Sequence, residues 1–126
     1  MFELGRLIRS RMHAYPTPSM PQLEALHFVH GRGPATMREL AAHLKIKAPS
    51  ATALVGELCR AGMLSRSTGT ADRRSVMLRL TARGARQLRL SIARRQKVIA
   101  ELLSPLPPGE RARFNRILET VVSANR

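Results

Sequence analysis

The sequence predicts a mainly α-helical single domain carrying one small β-hairpin, and three observations support this. Apolar residues recur at helical spacing in successive segments separated by Pro, Gly or capping residues. Between Leu64 and Leu80 the period falls to two, around a Gly/Asp-containing turn. The length, 126 residues, is enough for one core and too short for a second independent domain.

Leu4, Leu7, Ile8 and Met12 mark a short amphipathic helix that stops in Tyr15-Pro16-Thr17-Pro18, where two prolines lack amide donors. Ser19 can cap a second helix with Leu23, Leu26 and Val29 inward, and Gly31 and Gly33-Pro34 are expected to break it. Thr36 and Glu39 have the spacing of a capping box, ahead of a short helix whose buried face is Met37, Leu40, Ala41 and Leu44. A turn through Lys45-Ile46-Lys47 leads into a helix from Pro49 to Arg60, with Ala51, Leu54, Val55 and Leu58 inward and Gly62 as its stop. Two short helices joined by a tight turn make a helix-turn-helix.

Leu64 to Ser67, the turn Thr68-Gly69-Thr70-Ala71-Asp72, and Val76, Leu78 and Leu80 alternating with Met77 and Arg79 then read as a hairpin. A hairpin after a helix-turn-helix is a wing. Thr81 caps a long basic helix with Leu88, Ile92, Ile99, Leu102 and Leu103 on one side, ended by Pro105-Leu106-Pro107-Pro108. Phe114, Ile117, Leu118, Val121 and Val122 stripe a final helix. The fold class expected is therefore a winged helix-turn-helix, with a reading part at about 19–81 and flanking helices at about 1–15 and 82–126.

Lys and Arg number 22 against 8 acidic residues, a formal charge of +14, so the chain repels itself unless its partner is a polyanion. Nucleic acid is the first candidate and an anionic membrane surface the second. With no Trp, one Tyr and three Phe, the chain lacks both the aromatic anchors of a membrane-surface helix and the rings on which single strands stack. Double-stranded DNA fits better. No unbroken apolar run opens the chain and none is long enough to span a bilayer, so a cytoplasmic protein without membrane association is expected.

A helix entering the major groove needs small polar side chains at its exposed N-terminal end. Lys47-Ala48-Pro49-Ser50-Ala51-Thr52 supplies them: Pro49 suits the first helical turn, Ser50 and Thr52 offer hydroxyls, and the unpaired amides there can take a phosphate. Arg73 and Arg74 at the hairpin tip suit the minor groove, where narrow width concentrates negative potential. Asp72 beside them orients one guanidinium by a fork-shaped pair rather than touching DNA. Arg38 and Lys47 are counted with these as DNA-binding candidates.

The run Asp72-Arg73-Arg74-Ser75-Val76-Met77-Leu78-Arg79-Leu80-Thr81-Ala82-Arg83-Gly84 resembles the MarR family of bacterial regulators, whose wing reads Asp-x-Arg followed by Leu-Thr-x-x-Gly. Glu39-Leu40-Ala41 and Leu58-Cys59-Arg60-Ala61-Gly62-Met63-Leu64 are similar to that family's two helix-turn-helix helices, and the likeness extends across nearly the whole chain. The resemblance implies a homodimer built from the terminal helices, a pseudo-palindromic operator, Arg74 entering the minor groove, and Ser50 and Thr52 at recognition-helix contact positions. It also implies a transcriptional regulator, a repressor when the operator overlaps a promoter, that a small effector could release. In two places the chain departs from the family: Ala53 stands where Arg is frequent, and the first helix is shorter than usual.

Other chemistry finds little footing. A single cysteine, Cys59, excludes an internal disulfide and reads as a packed, inert thiol, and His27 and His30, with His13, lack the acidic or Cys companions of a metal site. The row Arg83, Arg86, Arg89, Arg94, Arg95 and Lys97 reads as a solvated face except near Arg83. No nucleophile motif, phosphate loop or carboxylate cluster points to catalysis, so no enzyme, cofactor or metal is expected. The competing reading is a winged-helix module that binds an acidic protein.

Overall fold

The computed structural model describes residues 2–13, 18–68 and 76–126. Tyr15, Pro16 and Thr17 of the first expected turn, and the wing tip with Asp72, Arg73 and Arg74, lie outside the described residues. In chain order the elements are α1 (Phe2–Met12), α2 (Met20–Arg32), β1 (Ala35–Thr36), α3 (Met37–Leu44), α4 (Ala48–Arg60), β2 (Leu64–Thr68), β3 (Val76–Leu80), α5 (Ala82–Leu103) and α6 (Pro108–Ala124). They fall into two units, Tyr15–Ala93 and Met1–Ala14 with Arg94–Arg126.

In the first unit both expected capping boxes form. The Ser19 amide donates to Gln22 Oε1 at 2.9 Å while the Gln22 amide donates to Ser19 Oγ at 3.4 Å, and Thr36 and Glu39 exchange the same two bonds at 3.1 Å each. Each box satisfies two amides that a helix start leaves without partners. Gly31 does not break α2, which runs through it to Arg32 and stops at Gly33, whose φ is 84°. An isolated glycine costs a helix only about 1 kcal/mol, less than burial of Leu26 and Val29 returns; a positive φ followed by Pro34 ends it outright.

Between α3 and α4 the chain turns at Lys45, held in the left-handed region at φ 55°. Helix α4 begins at Ala48, one residue before the expected start, so Pro49 occupies its first turn as the second residue. It ends in a Schellman turn: Gly62 has φ 74°, its amide donates to the Cys59 carbonyl at 3.0 Å, and the Met63 amide donates to the Leu58 carbonyl at 2.9 Å.

β2 and β3 form the expected antiparallel hairpin, in register from Leu64 opposite Leu80 to Thr68 opposite Val76. A third strand was not expected. Ala35 and Thr36 pair with Leu78 and Met77, giving the order β1-β3-β2, and two residues are too few to show any period. The pairing makes β3 central, and on the face of that strand turned to α2 and α3 Leu78 is wholly enclosed. With Leu26, Leu40 and Leu58, also at 0% exposure, it sits at the centre of the core, each side chain contributing about 1.5–3 kcal/mol of burial.

Thr81 caps α5 as expected, accepting the Gly84 amide at 2.9 Å. The buried side of α5 is not the expected one: Leu88 is buried, but Ile92 and Ile99 are 39% and 42% exposed while Ser91 and Val98 are buried. A serine on the inner face interrupts the apolar pattern that would have revealed it.

The second unit is thinly buried. Neither α1 nor α6 contributes a buried residue, and Leu4, Leu7, Ile117, Leu118, Val121 and Val122 all stand 41–52% exposed. Its ion pairs, Arg11 with Glu101 at 3.7 Å and Arg6 with Glu3 at 3.1 Å, are solvent-exposed and contribute about 0–1 kcal/mol each. Among the described residues no helix is long and apolar enough to cross a membrane.

Candidate nucleic-acid interface

The first turn of α4 is presented outward by the residues behind it. Ala51, Val55 and Leu58 are buried, fixing one face of the helix to the core, and Lys47, Ala48, Pro49, Ser50, Thr52 and Ala53 are left exposed. Lys47 precedes the helix in an extended conformation and makes no side-chain cap. The amides of Ala48 and Ser50 thus have no acceptor within the helix, and together with the helix dipole they form an anion-attracting end. Thr52 Oγ1 donates to the Ala48 carbonyl at 3.0 Å, so its hydrogen is engaged and only its lone pairs face outward.

Three contacts tie α2 to its neighbours α3 and α4. Gln22 Nε2 on α2 donates to Glu57 Oε2 on α4 at 3.2 Å. Arg32 grips Glu39 with both arms of its guanidinium, Nη2 to Oε1 at 2.8 Å and Nε to Oε2 at 3.0 Å, joining the end of α2 to the start of α3. The Thr36 amide and, after it, the Arg32 guanidinium hold the Glu39 carboxyl below its ordinary value of 4.5. Phe28 and His43 add a stacked pair with centroids 4.3 Å apart.

The sequence-derived candidates distribute as follows. Lys47, Pro49, Ser50 and Thr52 come together on one exposed turn, and Arg38 is exposed on the neighbouring α3. Asp72, Arg73 and Arg74 lie outside the described residues, but the strands that carry them do not. On those strands two exposed cations, Arg66 and Arg79, were not among the candidates. Arg79 Nε donates to Ser67 Oγ at 3.4 Å, and its backbone pairs with Ser65. A charged residue at an outward position of a two-period segment was the available signal. His27 and His30 are exposed, and Cys59 is half-buried against the core.

The sequence pattern of the MarR family matches residues 17–75, from the approach to α2 through the wing tip. An uncharacterised HTH-type transcriptional regulator of Mycobacterium bovis is 30% identical over 111 residues, 88% of this chain and 77% of the relative. The chain belongs to the MarR family. It is thus a DNA-binding, helix-turn-helix transcriptional regulator, and the winged helix expected from its sequence is the fold observed. Solved structures agree on that fold. The YusO protein of Bacillus subtilis superposes with a TM-score of 0.85 at 24% identity, covering 97% of this chain and 89% of that one. The PcaV transcriptional regulator of Streptomyces coelicolor, solved in complex with its natural ligand, gives 0.64 at 24% identity, covering 88% and 79%. The stretch matched by the MarR family pattern contains every candidate contact residue, from Arg38 to Arg74.

Proposed function

We propose that this MarR-family regulator binds double-stranded DNA as a homodimer on a pseudo-palindromic operator and represses transcription by occluding the promoter. The observation that carries this reading is the outward first turn of α4, with Lys47, Pro49, Ser50 and Thr52 exposed and uncapped above a fully packed inner face. That turn enters the major groove, while Arg73 and Arg74, oriented by Asp72, enter the adjacent minor groove. Arg38 adds a phosphate contact. Two-fold symmetry then asks for half-sites roughly 10 base pairs apart, or a multiple of that.

The exposed apolar residues of α1 and α6 support the dimer. So many half-exposed aliphatic side chains on two helices are a face for a second copy to cover, against the repulsion of like charge. A small effector acts by favouring dimer geometries in which the two reading helices no longer match the half-site spacing. That the PcaV regulator has a natural ligand supports this step. The protein acts on chromosomal DNA in the cytoplasm and needs neither catalysis nor a cofactor.

The test is a mobility-shift titration on duplexes selected from genomic fragments, the gene's own upstream region included. Affinity falls about 10³-fold or more between 50 and 200 mM salt if some six phosphates are neutralised. Arg74→Ala weakens binding clearly and Arg95→Ala does little. A flat salt response would rule out DNA as the partner, and equal effects from the two substitutions would overturn the assigned geometry.

A further inference from the structure

Thr81, between β3 and α5, joins parts of the molecule that are distant in sequence. Its hydroxyl donates to the Gly62 carbonyl at 2.6 Å and accepts the Gly84 amide at 2.9 Å. Its own amide donates to the Met63 carbonyl at 3.2 Å. Gly62 and Met63 are in turn bonded to the last turn of α4 through Cys59 and Leu58. The side chain therefore ties the turn that closes α4 to the first turn of α5, and the backbone amide of the same residue adds a bond to the approach to β2.

Helix capping explains only half of this. A cap needs an acceptor for the Gly84 amide, which Asp or Asn would supply as well. The hydrogen given to Gly62 does nothing for the start of α5; it spans to the turn that closes α4. The partners of the hydroxyl are a backbone carbonyl and a backbone amide, so neither can swing away as a side chain would.

We propose that Thr81 is a positioning residue for DNA binding: its hydroxyl bridge fixes the base of the wing relative to α4, so that both reading elements reach the duplex at one separation. The inference rests on the reading that α4 and the wing bind DNA together. Without the bridge the wing would carry freedom that must be lost on binding, and affinity would drop even where the fold survives.

The test uses the full chain with Cys59→Ser, spin labels at Ala53→Cys on α4 and Thr68→Cys at the outer end of β2, and labelled protomers diluted with unlabelled protein. Pulsed dipolar spectroscopy then reads the spread of the distance between α4 and the wing. Thr81→Ser keeps both bonds and leaves the spread unchanged. Thr81→Val loses both. Thr81→Asp still caps the Gly84 amide, so it keeps the fold should Val not, but it has no hydrogen for Gly62. Both broaden the distribution. Affinity for a duplex selected from genomic fragments falls about tenfold in Thr81→Val, and about tenfold in Thr81→Asp relative to Ala82→Asp, which adds the same charge next door without touching the bridge. An unchanged spread in Val and Asp overturns the proposal, as does a broadened spread with affinity within twofold of its control. Failure of the unsubstituted protein to bind duplex would sink the DNA-binding reading itself, and would be seen before any Thr81 variant is made.

Discussion

Gly84→Ala offers a direct measure of how tightly the start of α5 is pressed against the turn that leads into β2. A Cβ at Gly84 would fall on the Met63 carbonyl oxygen, with the Met63 carbonyl carbon at 3.0 Å and Leu80 Cδ1 at 2.9 Å. Carbon and carbonyl oxygen ordinarily approach no closer than about 3.3 Å, so two backbone segments must part. Overpacking of this kind costs about 1–3 kcal/mol, and separating the segments also weakens the Thr81-to-Met63 hydrogen bond, worth about 1 kcal/mol. The higher helix propensity of Ala offsets at most about 1 kcal/mol. The net loss is about 1–3 kcal/mol, or a fall in Tm on the order of 4–10 °C. Gly31 is the control: a methyl there meets nothing within 4 Å, so Gly31→Ala gains about 0.5–1 kcal/mol. Urea denaturation of the three proteins at one protomer concentration gives the comparison. Gly84→Ala as stable as the parent, or Gly31→Ala as damaging as Gly84→Ala, would refute the reasoning.

Further consequences can be checked on the same material. Because the Glu39 carboxyl is held below 4.5 when folded, its contribution is complete above that value and is lost as pH falls through it toward the lowered one. Glu39→Gln therefore loses less stability than the parent when denaturation is followed from pH 5 to pH 3. Lys45→Gly relieves the left-handed backbone at φ 55° and raises stability by about 1 kcal/mol in thermal melts. Val121→Asp puts a charge into the exposed apolar face of α6 and, if the proposed homodimer forms through that face, shifts the protein toward monomer in sedimentation equilibrium. Raising salt from about 50 to 300 mM stabilises the free protein, by screening its own positive charge, while weakening its hold on duplex DNA; a salt effect of the same sign on both would be the contrary result.

Legibility in the sequence tracked how local the governing interaction was. Ser19 with Gln22 and Thr36 with Glu39 are bonds across three residues between side chains of specific type, and both formed as read. The hairpin and the stop at Gly62 are equally local. What escaped notice depended on distant partners. Strand β1 exists only because β3 passes beside Ala35 and Thr36. The inner face of α5 includes Ser91, whose burial is decided by what packs over it. Gly31 looked like a breaker because composition cannot weigh one glycine against the burial of its neighbours. For the candidate site, residue types and spacing located the first turn of α4, but the lone-pair-only presentation of Thr52 follows from its bond to Ala48, and the role of Arg32 as a clamp on Glu39 from a pairing seven residues apart.

The placement of acidic residues shows how stability and the proposed function divide the chain. Residues 40–56 and 73–100 contain no Asp or Glu. Glu39 and Glu57, at the borders of the first of these stretches, are engaged in holding α2, α3 and α4 together. Helices α1, α3 and α6 each carry an acid in the first turn, where it complements the helix dipole, whereas α4 has neither an acid nor a side-chain cap there. An acid at that turn would stabilise α4 by about 0.3–1 kcal/mol, and a capping Ser or Asp at Lys47 by about 1 kcal/mol. Both gains are forgone at the one helix start that the proposed interface turns toward phosphate, where an acid would repel the ligand and a cap would occupy the amides meant for it. A local rule broken at a single helix end, while the neighbouring helix ends obey it, is what a binding surface leaves on a sequence otherwise consistent with its fold.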